Sequence, residues 1–260
     1  MKFSANLGLL WSELPLLDRI YKAKEKNFDA IEFQFPYEVD ANELKKGYSF
    51  ASIDYRLAGV ELLPAAVHDA ARAIQFLRTK AVEWKIDPKR IAVTGGSAGA
   101  ASSMWLAYHD DMANPKSDDP VLRQSSRVCG ALAMGGQTTL DPFLLEKKIG
   151  PTCIQHGMIW KTVGAKSIED LMENWGQYQA LSLECSPITH VSKDDPPVFL
   201  SYKKPAAVPV IEGDGIHHAG FGLLLEEKCK TVGIDCYLQI RGDEVARLSK
   251  DAFFKKIFQL

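Results

Sequence analysis

Short apolar runs alternate with segments of helical periodicity along most of this chain. The apolar runs predict strands over residues 2–7, 29–35, 48–55, 90–94, 128–134, 197–202 and 235–240. The periodic segments predict helices over residues 15–26, 39–46, 64–82, 98–113, 221–232 and 250–258. Because strands separated by helices at this spacing pair in parallel, the pattern predicts an α/β fold with a mostly parallel, doubly wound sheet.

Residues 137–190 interrupt this alternation with an irregular stretch that is rich in Trp, Met and Pro. We expect a small cap built from short helices there, between two strands of the sheet. Five of its side chains are large and apolar or aromatic: Met158, Trp160, Met172, Trp175 and Tyr178. They indicate either an apolar ligand pocket or ordinary core residues that cover the sheet.

Composition narrows the class of protein. With 260 residues, 46% of them hydrophobic, the chain is long enough for one large α/β domain or two small ones. A net charge of -2 without a basic stripe argues against nucleic acid, and no apolar run is long enough to span a membrane. Five scattered cysteines, none in a C-x-x-C pair, predict reduced thiols and a cytoplasmic protein.

Five small residues stand between the strand over residues 90–94 and the helix that follows it: Gly95-Gly96-Ser97-Ala98-Gly99. This is G-x-S-x-G in the strand–turn–helix context in which it presents a nucleophile. The spacing predicts that Ser97 is the nucleophile and that Gly95 and Gly99 avoid Cβ clashes in a strained turn. The amides of Ala98 and Gly96 are the candidate oxyanion donors. The alternative is a glycine-rich turn that contains a serine without function.

A serine nucleophile needs a neighbouring base at neutral pH. The best candidates are His217 and His218, in a loop after the strand over residues 197–202. A carboxylate such as Asp214 or Glu212 would orient the imidazole. The alternative is a loop that caps a helix and whose histidines bond main-chain groups.

No cofactor is predicted. The glycine-rich turn lacks both the lysine of a phosphate-binding loop and the spacing of a dinucleotide-binding loop. A metal site at His109, Asp110 and Asp111 is not expected, because adjacent side chains diverge on a helix. We therefore predict neither a metal nor an organic cofactor.

From residue 48 onward the chain resembles the esterase and lipase branch of the α/β-hydrolase superfamily. The resemblance is carried by residues 51–57, 64–69, 87–91, 95–99 and 194–200. It implies a truncated α/β-hydrolase fold at residues 48–260 with the cap at residues 137–190. It also implies a serine carboxylesterase that acts on small-molecule, short-acyl esters.

Residues 1–47 resemble the N-terminus of hydroxypyruvate isomerase, in their opening strand and in Ala30-Ile31-Glu32-Phe33 and Phe35-Pro36-Tyr37. This second resemblance implies a natural fusion in which an isomerase-like β-α-β segment completes the hydrolase sheet. The strand over residues 30–35 would then pair in parallel with residues 49–54. An exposed edge of such a sheet would permit a homodimer, and the sequence leaves the oligomeric state open.

The chain departs from the esterase pattern at three places. It has no His-Gly-Gly-Gly loop before residue 48, no carboxylate in residues 203–209 and no histidine in residues 241–247. These departures support a second hypothesis, a catalytically inactive α/β-hydrolase fold that binds a small ligand or a partner.

Overall fold

The structure is a computed structural model that describes residues 4–6, 30–32, 51–57, 61–203, 211–241 and 248–259. The chain divides into two compact units, Met1–Asp54 and Tyr55–Leu260. In the first unit, β1 (Ser4–Asn6) pairs in parallel with β2 (Ala30–Glu32), in agreement with the strands predicted there. The helices predicted over residues 15–26 and 39–46 lie outside the described residues.

The second unit is built on a four-stranded parallel sheet. Its strands are β3 (Val93–Gly96), β4 (Ala131–Met134), β5 (Val198–Tyr202) and β6 (Cys236–Ile240). They lie in the order β3-β4-β5-β6, and every neighbouring pair is parallel. The prediction of a parallel sheet connected by helices is therefore confirmed.

Helices precede the sheet, connect its strands and follow it. The first are α1 (Ala65–Thr79), α2 (Ala81–Trp84) and α3 (Ala98–Tyr108). Between β4 and β5 lie α4 (Pro142–Lys148), α5 (Pro151–Gln155), α6 (Gly157–Trp160), a 3-10 turn (Lys161–Val163), α7 (Ile168–Glu173), α8 (Trp175–Glu184) and α9 (Pro187–His190). The remaining helices are α10 (Glu212–Ile216), α11 (Gly220–Val232) and α12 (Lys250–Phe258).

Helices cover β5 on both of its faces. Phe199 contacts Phe253 of α12, with ring centroids 5.7 Å apart. On the other face, Gly222 of α11 lies so close to Tyr202 that an added Cβ would come within 2.5 Å of its ring. Because both faces are covered, the strand needs apolar residues at successive positions, which explains the run Val198-Phe199-Leu200.

Helix α3, which follows Ser97, runs through the interior. Eight of its eleven residues are buried, among them Met104, Trp105 and Tyr108. Its two buried serines donate to main-chain carbonyls one turn earlier, from Ser102 to Ala98 and from Ser103 to Gly99. Small side chains and internally bonded hydroxyls therefore let this helix pack closely against β3 and β4.

The strand predicted over residues 48–55 is not formed in its described part, residues 51–55. The side chains of residues 51–54 are exposed, the apolar Ala51 and Ile53 among them, so burial in a sheet does not stabilise a strand here. The main-chain N–H of Arg56 donates to the carboxylate of Asp69, at 2.9 Å, and its guanidinium binds the same carboxylate. The predicted pairing of residues 30–35 with residues 49–54 is not seen in the described residues, where β2 pairs with β1.

The cap region consists of short helices, as expected, and its large side chains pack mainly against the core. Tyr178 is buried, and its hydroxyl donates to Asp170 at 3.0 Å. These residues therefore behave largely as ordinary core residues. No helix in the described part of the chain combines the length and hydrophobicity needed to traverse a bilayer.

The five cysteines are free thiols, and three of them, Cys153, Cys185 and Cys229, are buried. Burial raises the pKa of the Cys153 thiol to about 12, which keeps it protonated near neutral pH. The expectation of reduced, mostly buried thiols agrees with this arrangement. That the protein is cytoplasmic stays a prediction.

Leu225 and Leu223 of α11 provide a matched test of this packing. Leu225 is fully buried, whereas Leu223 is 50% exposed. We expect Leu225→Ala to lower the free energy of unfolding by about 2–5 kcal/mol because it leaves a cavity. Leu223→Ala should change it by less than about 0.5 kcal/mol. Urea unfolding followed by tryptophan fluorescence would measure both, and equal losses would contradict the assigned packing of α11.

Candidate active site

Ser97 lies in the sharp turn between β3 and α3. Its backbone has φ 51° and ψ −117°, a conformation that residues other than glycine rarely adopt. The N–H of Ser97 donates to the carbonyl of Met134 at 3.0 Å, and its carbonyl accepts from Ala101 at 3.0 Å. The sheet and the helix thus hold the strained residue from both sides.

Gly95 and Gly99 have different roles in this turn. A Cβ on Gly95 would lie 2.4 Å from the main-chain carbon of Gly99, an impossible contact with rigid backbone. A Cβ on Gly99 would meet nothing within 4 Å. The expectation that both glycines prevent clashes is therefore correct for Gly95 and wrong for Gly99, because the close approach falls on the strand side of the turn.

The two candidate oxyanion donors differ in their surroundings. Ala98 is the first residue of α3, so its N–H has no partner within the helix and lies at the positive end of the helix dipole. The N–H groups of Val93 and Ser97 donate toward β4. Since alternate amides of a strand point to opposite sides, the N–H of Gly96 points away from β4. Oxyanion binding by either amide stays a prediction.

His217 follows α10 and reaches the serine. Its Nε2 lies 2.9 Å from Ser97 Oγ, and its Nδ1 lies 2.9 Å from the main-chain carbonyl oxygen of Gly213. A carbonyl oxygen only accepts, so Nδ1 carries the hydrogen. Nε2 is then unprotonated in the neutral ring and accepts from the Ser97 hydroxyl. This is the tautomer that a general base requires.

Close packing fixes the position of α10 and so of the imidazole. Gln137, after β4, donates to the carbonyl of Ile216 at 2.7 Å. Gly215 approaches α5 so closely that a Cβ would come within 2.8 Å of Cys153 Cα. Gly135, with φ 60°, lies beneath the ring, where a Cβ would be 3.6 Å from Cδ2 of His217. The ring of His217 therefore packs against the main chain at Gly135.

The other predicted residues of this loop are placed differently. His218 Nδ1 accepts from the N–H of Gly220 at 3.0 Å, so this ring bonds the start of α11 rather than Ser97. Asp214 is exposed, and among the described residues the acceptor for His217 Nδ1 is Gly213 rather than Asp214 or Glu212. Within the described part of the chain a main-chain carbonyl stands where an orienting carboxylate was expected, and such a group leaves no signal in a sequence.

An open cavity of about 630 Å³ borders residues 211–213, which precede His217. It is lined by Pro151, Thr152, Gln155, Ile211, Glu212 and Gly213. His156 lies close by; burial lowers its pKa, the charge of Glu212 opposes this effect and that of His217 adds to it. This cavity could not be predicted from the sequence, because α5 and α10 are separated by more than fifty residues.

The described residues around Ser97 contain no group of potential metal ligands. The one group found in the described part of the chain lies at the other end of α3. The chemistry available beside Ser97 is therefore that of a hydroxyl, an imidazole and main-chain amides.

Comparison with known proteins identifies relatives of this chain. A family model described as BD-FAE matches residues 25–212. The probable carboxylic ester hydrolase LipM of Mycobacterium tuberculosis is 26% identical over 170 residues, which cover 65% of this chain and 36% of LipM. Hydroxypyruvate isomerase of Escherichia coli is 39% identical over 57 residues, a short match that covers 22% of each protein. The chain thus spans less than two-fifths of the length of these relatives.

Two solved structures share the fold. An acetyl ester-xyloside bifunctional hydrolase from Caldicellulosiruptor lactoaceticus is 27% identical with a TM-score of 0.56, over 72% of this chain and 58% of its own. A truncated carbohydrate esterase from gut microbiota is 19% identical with a TM-score of 0.61, over 80% of this chain and 74% of its own. The predicted α/β-hydrolase fold is therefore confirmed, whereas the fusion and the sheet-completing role of residues 1–47 stay predictions.

The two motif glycines give a paired test of the turn geometry. Gly95→Ala should lower the melting temperature and abolish any hydrolysis of nitrophenyl acetate that depends on Ser97, because the methyl group clashes with backbone that cannot move aside. Gly99→Ala should fold normally and be at least as stable, since the helix has room for the methyl group and alanine favours helices. Differential scanning calorimetry and esterase assays would show this, and an equally damaged Gly99→Ala variant would contradict the geometry.

Proposed function

Because the chain belongs to the BD-FAE family, within the esterase branch of the α/β-hydrolases, we propose that it is a serine carboxylesterase. The observation that carries the proposal is the 2.9 Å contact between Ser97 Oγ and Nε2 of His217. Both side chains belong to the unit Tyr55–Leu260.

Hydrolysis would proceed in two steps. Ser97 Oγ attacks the ester carbonyl while its proton passes to Nε2 of His217, and the imidazolium then protonates the departing alkoxide. The acyl group remains on Ser97 Oγ. In the second step, water attacks this acyl group while His217 takes one of its protons. The imidazolium then returns that proton to Ser97 Oγ as the bond between the acyl carbon and Oγ breaks, which releases the carboxylic acid and free Ser97.

The main-chain carbonyl of Gly213 would orient the His217 imidazole, as a carboxylate does in a complete triad. This carbonyl selects the tautomer with hydrogen on Nδ1 and holds the ring plane. A neutral carbonyl, however, stabilises the imidazolium less than a negative charge does. We therefore expect proton transfer to work at a lower rate than in an enzyme with an acidic third member.

The oxyanion would be stabilised by the N–H of Ala98 and the positive end of α3. The His-Gly-Gly-Gly loop that supplies a second donor in esterases of this branch is absent from the sequence. The loss of one such donor costs about 10²–10³ in turnover. The proposed enzyme is thus a slow esterase, best suited to esters with good leaving groups or to small, well-bound ones.

The cavity that Gly213 lines, on the Nδ1 side of His217, favours short-acyl esters of polyhydroxylated alcohols as substrates. Its lining combines apolar Pro151 and Ile211 with hydrogen-bonding Thr152, Gln155 and Glu212. Such a mixed, open surface suits a sugar hydroxyl face better than a long acyl chain. The acetyl ester-xyloside hydrolase, 27% identical to this chain, bears a name of the same class.

A catalytically inactive, ligand-binding hydrolase fold is the second candidate. It is favoured by one observation, that the described acceptor on His217 is a neutral carbonyl rather than a carboxylate. In that case the cavity would bind its ligand without turnover, and Ser97 would not react.

Kinetics on nitrophenyl acetate and nitrophenyl butyrate would test the proposal. We expect Ser97→Ala and His217→Gln to lower kcat/KM by at least about 10²-fold, because each removes the nucleophile or its base. The matched control is His218→Gln, which should change kcat/KM only a few-fold since His218 bonds the start of α11. Esterase rates that do not differ between the wild-type protein and Ser97→Ala would contradict the proposal.

A fluorophosphonate probe separates the two candidates without a natural substrate. An active dyad should label the wild-type protein on the peptide that contains Ser97, and His217→Gln should label slowly. A folded protein in which Ser97 is never labelled would support the inactive, ligand-binding candidate instead.

A further inference from the structure

Three side chains with metal-binding chemistry meet at the end of α3 that is remote from Ser97. They are His109, just after α3, Glu184, the last residue of α8, and His190, the last residue of α9. One potential ligand atom from each lies within 4.8 Å of the other two, and all three side chains are partly buried. His109 is twelve residues from Ser97, about 18 Å along the helix axis, so this cluster is separate from the active site.

Main-chain carbonyls set the hydrogen positions on both imidazoles. His109 Nδ1 lies 2.9 Å from the carbonyl oxygen of Asp110, and His190 Nε2 lies 2.6 Å from that of Glu184. Because carbonyls only accept, these nitrogens donate, and the second nitrogen of each neutral ring keeps its lone pair. Metal-bound histidines show the same arrangement, in which the other ring N–H donates to a carbonyl or carboxylate.

The contact between His109 Nε2 and Glu184 Oε1 is favourable only when a positive charge lies between the two atoms. His109 Nε2 lies 3.1 Å from Glu184 Oε1. A nitrogen lone pair and a carboxylate oxygen repel each other at this distance unless a proton or a metal cation lies between them. Two ligand atoms on one tetrahedral zinc ion, with bonds of about 2.0–2.1 Å, are about 3.3 Å apart.

The backbone supplies an electrostatic environment that favours a cation. Helices α3 and α8, of 11 and 10 residues, both end at this cluster, so their negative dipole ends converge on it. The carbonyl of Glu184 accepts from Trp105 Nε1 at 2.9 Å as well as from His190. The ring of His109 stacks on Trp105 with centroids 4.0 Å apart, which fixes the orientation of its imidazole.

We propose that His109, Glu184 and His190 bind a transition-metal dication, which joins helices α8 and α9 of the cap to α3. Two imidazoles and one carboxylate select zinc, cobalt, nickel or copper over magnesium and calcium, which prefer all-oxygen sites. The ion has a structural role, because it connects elements that are distant in sequence and stays remote from Ser97. The site is independent of the proposed esterase activity.

Cobalt and zinc titrations test the site directly. The full-length protein, treated with a chelator and kept reduced, is titrated with Co²⁺ and followed by visible absorption, and with Zn²⁺ in a calorimeter. We expect one ion per chain, weak visible bands without thiolate charge-transfer absorption, and a melting temperature that rises with metal concentration. His109→Gln, Glu184→Gln and His190→Gln should each lower the affinity at least about 10–100-fold, since even outer-shell changes cost that much.

His68→Gln is the matched control. The His68 ring also packs against Trp105, at 6.0 Å between centroids, but it is not among the three proposed ligands. This variant should keep wild-type affinity, and all four variants should keep their circular dichroism and esterase rates. Saturable binding that is lost in the ligand variants supports the site. Absence of saturable binding, binding that the ligand variants leave unchanged, or thiolate absorption from the cysteines would overturn it, and a proton alone would then join His109 to Glu184.

Discussion

The hydrogen bond from His217 Nδ1 to the carbonyl of Gly213 is the interaction on which the active-site geometry depends. It puts the lone pair of Nε2 opposite Ser97 Oγ and leaves the imidazole ready to accept a proton. The donor and the acceptor are four residues apart, so the loop orients its own histidine. The contacts of Gln137 with Ile216 and of Gly215 with Cys153 keep this short helix in place. A local main-chain interaction thus replaces a carboxylate that would otherwise have to come from another part of the fold.

The strained serine depends on the sheet in the same way. Ser97 keeps a positive φ because the ladder to Met134 and the first turn of α3 hold its backbone on both sides. Gly95 allows the strand and the helix to approach to a distance that a side chain would block. The same helix carries Trp105 and then His109 to its far end, where α8 and α9 meet it. One buried helix therefore links the Ser97 end of the sheet with the cap.

Local sequence patterns were sufficient to predict much of this structure. The G-x-S-x-G run predicted the turn at Ser97, and apolar periodicity predicted α1 and α12 to within a few residues. The pair His217 and His218 contained the residue that reaches Ser97, but only tertiary packing distinguishes the two rings. The role of Gly213 could not be predicted, because every residue has a carbonyl. Contacts between distant segments leave no local pattern, so the cluster of His109 and Glu184, 75 residues apart, was missed. Residues 51–54 have the pattern of a strand in the sequence but are exposed in the structure.

The position of the hydrogen on the His217 ring decides whether the Gly213 carbonyl orients the imidazole toward Ser97. Nitrogen-15 NMR of protein labelled at histidine measures the chemical shift of each ring nitrogen, at a pH well above the ordinary histidine pKa. The signals of His217 are assigned as those missing from the His217→Gln variant. We expect hydrogen on Nδ1 and an unprotonated Nε2 whose nitrogen-15 resonance shifts when Ser97 is replaced by alanine. Hydrogen on Nε2, or a ring whose nitrogens do not respond to Ser97→Ala, would contradict this orientation.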